Sequence, residues 1–185
     1  IRVSGGDMSE FRTGVSYPVP IAMRQEISSL ENVASMEYFG GVHVDVLNPA
    51  GTSVARYLEE NGCVVIEPSF FKILDFKEAD FKWLSGNPEK ALEEPFNVVL
   101  TESLAKKYYP DGNALGNTLR FEKRFDCKIT GVIKDLPPNT DFPFTILVSY
   151  STMHTLRGEE RLNNWVSVND DHQTFIKVAP GYTKT

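Results

Sequence analysis

Residues 70–144 read FFKILDFKEADFKWLSGNPEKALEEPFNVVLTESLAKKYYPDGNALGNTLRFEKRFDCKITGVIKDLPPNTDFPF, and the order of textures within them decides the fold. The apolar run Val98-Val99-Leu100 gives way at Thr101 to a lysine-rich segment. Thr101 is placed to cap a helix over residues 101–109, with Glu102 in its positive first turn and Lys106 and Lys107 in its negative last turn. Glu102 and Lys106 form the favourable acid-before-base pair at a spacing of four. Leu104, Ala105 and Tyr108 make the apolar side, and Pro110-Asp111-Gly112 stops the helix. Period-two runs follow. Leu119 and Phe121 alternate with Arg120 and Glu122, and Cys127, Ile129, Gly131 and Ile133 alternate with Lys128, Thr130 and Lys134. Beyond Pro137-Pro138, Phe144, Ile146, Val148 and Tyr150 mark one face of a further strand. Strands interrupted by one short helix predict an α+β fold.

Working outward, Ser16-Tyr17-Pro18-Val19-Pro20 opens a helix, since proline in a first turn lacks only an N–H that would have no partner anyway. Met23, Ile27 and Leu30 continue it at a four-and-three spacing. Val42, Val44 and Val46 then alternate with His43 and Asp45 as a strand. Asn48-Pro49-Ala50-Gly51 is a turn cluster and the expected lobe boundary. Residues 54–58 and 63–66 flank Asn61-Gly62, the dipeptide of a tight hairpin turn. Pro68 begins a short helix carrying Phe70, Phe71, Ile73 and Leu74, and residues 174–178 form the last strand.

The chain has 185 residues, enough for one large domain or two small lobes that need no metal or disulfide to fold. Its net charge of −6, from 25 acidic and 19 basic residues, opposes a nucleic-acid groove, and no nucleic-acid partner is expected. No apolar run approaches the roughly 18 residues that span a bilayer. The chain opens at Ile1 without methionine or signal peptide, which reads as a piece of something longer. Cys63 and Cys127 sit in apolar runs without metal-ligand spacing and read as buried free thiols, a disulfide between them being the lesser alternative.

Chemistry-bearing residues are sparse. His43 and Asp45 share one strand face, compatible with two metal ligands but lacking a third, so an exposed polar face is the stronger reading. Asp170-Asp171-His172 reads as a solvated loop, and His154 is isolated. There is no G-x-S-x-G turn and no phosphate-binding G-x-x-x-x-G-K-[ST] loop, so no catalytic residue, cofactor site or metal site is assigned. The dense aromatic series Phe70, Phe71, Phe76, Phe81 and Trp83 reads first as core, and otherwise as an exposed patch for a partner.

Five phrases in fixed order carry a resemblance. Residues 68–73 match P-x-F-F-x-I, 83–88 match W-L-x-G-N-P, and 98–108 match V-V-L-T-E-x-L-A-K-K-Y. Residues 115–119 match L-G-x-T-L, and 129–140 match the V-I-K-D-L-P-x-N-T phrase. Together they resemble the MacB-like extracytoplasmic core domain of FtsX/MacB-type ABC transporter permeases, most of all those of Bacteroidetes. The resemblance implies a porter-like α/β lobe, here partial, from residues 1–48 and 172–185, with a β-rich lobe of residues 49–171 inserted into it. It also implies a non-catalytic periplasmic domain of an inner-membrane permease that passes motion from a separate ATPase to the periplasm. Expected partners are that ATPase subunit, a second permease in a homodimer or heterodimer, and a periplasmic adaptor or outer-membrane channel. The alternative is an extracytoplasmic ligand-binding sensor of a membrane receptor. Gly181-Tyr182-Thr183 reads as the turn before a further helix; without that helix, Ile176 and Val178 are expected to be exposed and to drive self-association.

Overall fold

The protein, described here from a computed structural model over residues 3–4, 11–12, 14–73 and 81–182, is built on one large mixed sheet. Its elements in chain order are β1 (Val3–Ser4), β2 (Phe11–Arg12), α1 (Pro18–Glu26), β3 (Leu30–Phe39), β4 (Val42–Leu47), β5 (Ser53–Glu59) and β6 (Cys63–Ile66). They continue with α2 (Phe70–Ile73), β7 (Trp83–Gly86), β8 (Asn97–Thr101), α3 (Glu102–Tyr108), β9 (Thr118–Phe121), β10 (Phe125–Ile133) and β11 (Ile146–Ser149). A 3-10 turn at Tyr150–Thr152, α4 (Met153–Arg157), α5 (Glu159–Leu162) and β12 (His172–Val178) complete the described chain.

The sheet order is β12-β3-β6-β11-β8-β10-β9-β4-β5, with β7 added on β10. Most neighbours are antiparallel, while β10 runs parallel to β8 and β11 parallel to β6. Helix α3 supplies the crossover that a parallel pair requires between β8 and β10.

One long hairpin organises this order. Residues of β3 face β6 from Met36 opposite Ile66 to Phe39 opposite Cys63. The pairing then resumes with Val42 opposite Glu59 and runs to Leu47 opposite Ser53. Thus β3–β4 and β5–β6 are two arms of a single ribbon, bent where Gly40-Gly41 meets Glu60-Asn61-Gly62 and bridged there by the Gly41 N–H to the Glu60 carbonyl at 3.0 Å. The tight turn expected at Asn61-Gly62 is instead this bend. The ribbon turns at Asn48, whose side-chain oxygen accepts the N–H groups of Ala50 and Thr52, both at 3.0 Å. Because β5 runs on into β6, the path from β6 through β11, β8, β10, β9 and β4 returns to its start.

The strand pattern explains the cores. Val44, Val46, Cys63, Val65, Val98 and Leu100 share one cluster with Leu119, Cys127, Ile129, Ile146 and Val148. These residues alternate along their strands and meet inside the returning sheet, where α3 adds Leu104, Ala105 and Tyr108. On the opposite face Met36, Val64, Ile66, Val99, Ile133 and Leu147 pack with Phe70, Leu92 and Phe144. The alternation expected through Gly131 to Ile133 breaks at a bulge between Ile129 and Gly131, after which Val132 joins the first cluster and Ile133 the second. Phe144 likewise falls on the face opposite Ile146 and Val148, because β11 begins only at Ile146.

Helix α1 ends at Glu26, so Ile27 is its half-exposed C-cap and Leu30 already belongs to β3. Strand β3 has no signature in the sequence because it is covered on both faces over Val33 to Glu37. Helix α3 forms as expected, with Lys106 on Glu102 at 2.6 Å, but Thr101 makes no side-chain cap. Asp135 caps it instead, taking the Ser103 N–H at 3.0 Å and the Ser103 hydroxyl. The spans expected as separate lobes share the sheet: β3 pairs with β6, and β4 and β5, on either side of the 48/49 boundary, pair along their length.

Candidate functional site: a buried polar network beside a cleft

Helix α1 and strands β3 and β12 bring together a set of polar side chains that sequence reading left scattered. Glu37, from β3, is fully buried. Its carboxylate accepts the Tyr17 hydroxyl at 2.7 Å, the Asn169 side-chain amide at 3.2 Å and two N–H groups of Arg157, the Nε at 3.1 Å. A buried charge is tolerable only when its lone pairs are met in this way. Arg157 also lies over the Phe39 ring at 4.9 Å.

His172 stands opposite Glu37 on β12 and is equally buried. Its Nδ1 lies 3.0 Å from the Val15 carbonyl, which can only accept, so Nδ1 carries the proton. Nε2 then accepts the Tyr150 hydroxyl at 2.7 Å, and the Tyr17 ring packs against the imidazole at 4.4 Å. Burial pushes the His172 pKa down, and it pushes the Tyr17 and Tyr150 phenols up. Neutral His172 is therefore satisfied at both nitrogens. The network ties residues 15–17 to β3, to the end of α4 and to the start of β12.

Next to it lies a cleft of about 340 Å³ between α1 and residues 150–163. Ser35, Glu67 and Tyr150 line it together with Pro20, Ile21, Met153 and Leu162. Glu67 Oε2 accepts the Ser35 N–H at 2.8 Å and pairs with Arg24, which also donates to the Val33 carbonyl at 3.1 Å. Burial raises the Glu67 pKa, against the opposing pull of Arg24.

The aromatic series divides. Phe70 is fully buried, edge-on to Phe142 at 5.5 Å and to Phe175 at 5.1 Å. Phe71, Phe81 and Trp83 are half-buried and mutually packed, with Phe71 4.7 Å from Phe81. Phe76 and Leu74 lie outside the described residues. These rings belong to a different cluster from Leu104 and Tyr108 of α3, rather than to the one shared core expected for them.

His43 is exposed beside Glu122, whereas Asp45 is buried and bonded to Ser53 and Arg56, each at 3.0 Å. Among the described residues no group of His, Cys, Asp and Glu is arranged to hold a metal ion. Cys63 and Cys127 are free and buried, their thiols pushed up to about 12 chiefly by burial. His172 was expected in a solvated loop; the strand begins two residues earlier than its alternation suggests and carries the ring inside. Glu37 and Arg157 are 120 residues apart and carry no local signal of their pairing.

The geometry defines an α+β domain with a mixed sheet, several short helices and a buried polar joint. The chain belongs to the MacB-like periplasmic core domain family, which it matches over residues 1–185. Among solved structures it is similar to a domain of a putative permease protein from Porphyromonas gingivalis. The TM-score is 0.73 at 24% identity, over 94% of this chain and 72% of that one. The periplasmic region of MacB from Actinobacillus actinomycetemcomitans gives a TM-score of 0.59 at 18% identity, over 98% and 74% of the two chains. The extracellular domain of the noncanonic ABC-type transporter YknZ from Gram-positive bacteria gives 0.59 at 10%, over 91% and 75%. No curated protein matches the chain. Family membership makes this a periplasmic domain of an ABC transporter permease, a class that works with ATPase subunits, on the extracytoplasmic side of the inner membrane. No helix among the described residues is long and apolar enough to cross a membrane.

Proposed function

We propose that the domain is a non-catalytic mechanical element, coupling ATP hydrolysis by a separate cytoplasmic subunit to movement or export of substrate in the periplasm. The supporting observation is the bent β3–β4/β5–β6 ribbon, which threads both ends of the sheet and returns it on itself. A displacement imposed on β3 passes to its hydrogen-bonded neighbour β6 and, along the chain through a bend braced by the Gly41 N–H to Glu60 carbonyl bond, to the paired strands β4 and β5. The partners on this reading are the ATPase, a second permease in a homodimer or heterodimer, and a periplasmic adaptor or outer-membrane channel.

The test uses the complete permease with its ATPase in proteoliposomes. Inserting a flexible Gly-Ser pair between Gly40 and Gly41 is expected to leave ATP hydrolysis running while export or its periplasmic readout falls. Unchanged export would remove the ribbon from the transmission path. Hydrolytic turnover by this chain alone, abolished by His43→Ala or His172→Ala, would overturn the non-catalytic reading.

A further inference from the structure

The cleft between α1 and residues 150–163 is not absorbed by a mechanical role. We propose that it binds a primary ammonium group carried on an apolar stem, with Glu67 as the carboxylate that receives it. Three observations converge on this chemistry.

The first is an unfilled acceptor. Glu67 Oε2 takes both the Ser35 N–H and the Arg24 guanidinium, while Oε1 has no hydrogen-bond partner among the described residues. The Glu67 side chain is only 18% exposed, so this oxygen opens onto the cleft rather than onto the outer surface, and a charged donor there gains more than at a fully solvated carboxylate. An ammonium supplies three donors from a compact head, which suits one carboxylate oxygen among nearby hydroxyls better than the wide planar fork of a guanidinium.

The second is the sign of the lining. Glu67, Glu93 and Glu159 are among the lining residues with a single guanidinium, Arg24, and with His154 paired to Glu159 at 2.5 Å. Three acidic residues line the space against one guanidinium, itself already engaged by Glu67 and the Val33 carbonyl, which favours a cation over an anion. Tyr17 and Tyr150 also line the space.

The third is the wall. Pro20, Ile21, Met153 and Leu162 give the cleft an apolar side, and Ile21 is 50% exposed at its edge although it sits on a folded helix. A stem of several methylenes covering Ile21 would recover roughly 0.8 kcal/mol per buried CH₂. The volume of about 340 Å³ lies at the small end of ligand cavities and excludes bulky polycyclic amines. The ammonium could come from a free alkylamine or from a lysine side chain of a partner protein, and the two sources are separated by experiment.

Titration of the isotope-labelled chain is followed by amide NMR and calorimetry, with hexylamine, hexanol, hexanoate and the capped tripeptide acetyl-Gly-Lys-Gly-amide as probes. Hexylamine is expected to bind saturably, shifting Ser35 and Ser151 but not Lys128 of β10, a strand that contributes no residue to the cleft. Hexanol and hexanoate are expected not to saturate. A tripeptide that binds at least as tightly as hexylamine assigns the site to a lysine of a partner; one that binds much more weakly assigns it to free amines. Glu67→Gln should weaken hexylamine binding by about tenfold or more, the loss expected for one charge-assisted hydrogen bond. Because Glu67→Gln also removes the ion pair that holds Arg24 of α1, Leu162→Trp serves as a second variant: it fills the cleft and should abolish binding at unchanged melting temperature. Equal binding of hexanol and hexylamine, or full affinity in both variants, would overturn the proposal, and neither result bears on the transmission test above.

Discussion

At the residue scale the decisive contacts are made by buried ionisable groups. His172 has a folded pKa below the ordinary histidine value near 6.5, so the folded state binds fewer protons than the unfolded chain. Its contribution to stability is present above about pH 6.5 and is lost as pH falls through that value towards the lower folded pKa. Glu67 works in the opposite sense. Its folded pKa is raised, so its contribution grows as pH falls towards the carboxylate range. Denaturant midpoints measured from about pH 7.5 down to about pH 5.5 should therefore decline in the parent chain and decline less in His172→Gln. An identical slope in the two would remove His172 as the cause. Arg157→Ala leaves the Glu37 carboxylate buried with only Tyr17 and Asn169 as donors. That should cost about 3 kcal/mol, the low end for breaking a buried pair, because Arg157 retains some contact with water. Adding Glu37→Gln to Arg157→Leu removes the charge itself, and the double variant should unfold at higher denaturant than Arg157→Ala.

At the scale of elements, the ribbon and its bend carry the prediction. Gly62 has φ of +84°, and a Cβ there would stand 2.9 Å from the Pro143 carbonyl oxygen and 2.6 Å from the Thr145 hydroxyl. Gly51, in the turn, has φ of +78° but open space around it. Gly62→Ala should thus cost clearly more than the roughly 1 kcal/mol expected of Gly51→Ala, where only the left-handed backbone is strained. Equal losses would mean that the backbone at 143–145 yields freely. Phe70→Ala empties a site walled by four aromatic rings and should cost about 3–5 kcal/mol, whereas Trp83→Ala, on the half-buried side of the same group, should cost less. The elements themselves were unevenly legible. Helix α3 and strands β8, β9 and β10 could be read because their charge spacing and alternation are local. The Asn61-Gly62 turn could not, because the same dipeptide that favours a two-residue turn also permits the positive φ of a bend, and only the pairing of β4 with β5 decides between them.

For the molecule as a whole, two hydrophobic clusters share strands: Val98 and Leu100 of β8 face one, Val99 the other, and β6 and β11 divide in the same way. Neither cluster can lose its order without exposing the back of the other. Thermal unfolding is accordingly expected to be a single transition, with calorimetric and van't Hoff enthalpies in agreement. Two resolved transitions would support a physical division into residues 1–48 with 172–185 and residues 49–171. Among the described residues β12 pairs in the sheet only with β3, and Ile176 and Val178 stand 37% and 43% exposed. By itself the sequence determined the α+β class, the strand–helix–strand unit around Thr101, the absence of a nucleophile or phosphate-loop motif, and the phrase order that marks the family. Those properties rest on nearest neighbours along the chain, where charge spacing and period-two alternation act. Only the tertiary structure decided that Asp135 rather than Thr101 caps α3, that β3 lies buried on both faces, and that Glu37, Arg157, His172 and Tyr17 meet. Each of these depends on groups far apart in sequence, brought within hydrogen-bond reach by a sheet whose strand order no local pattern encodes.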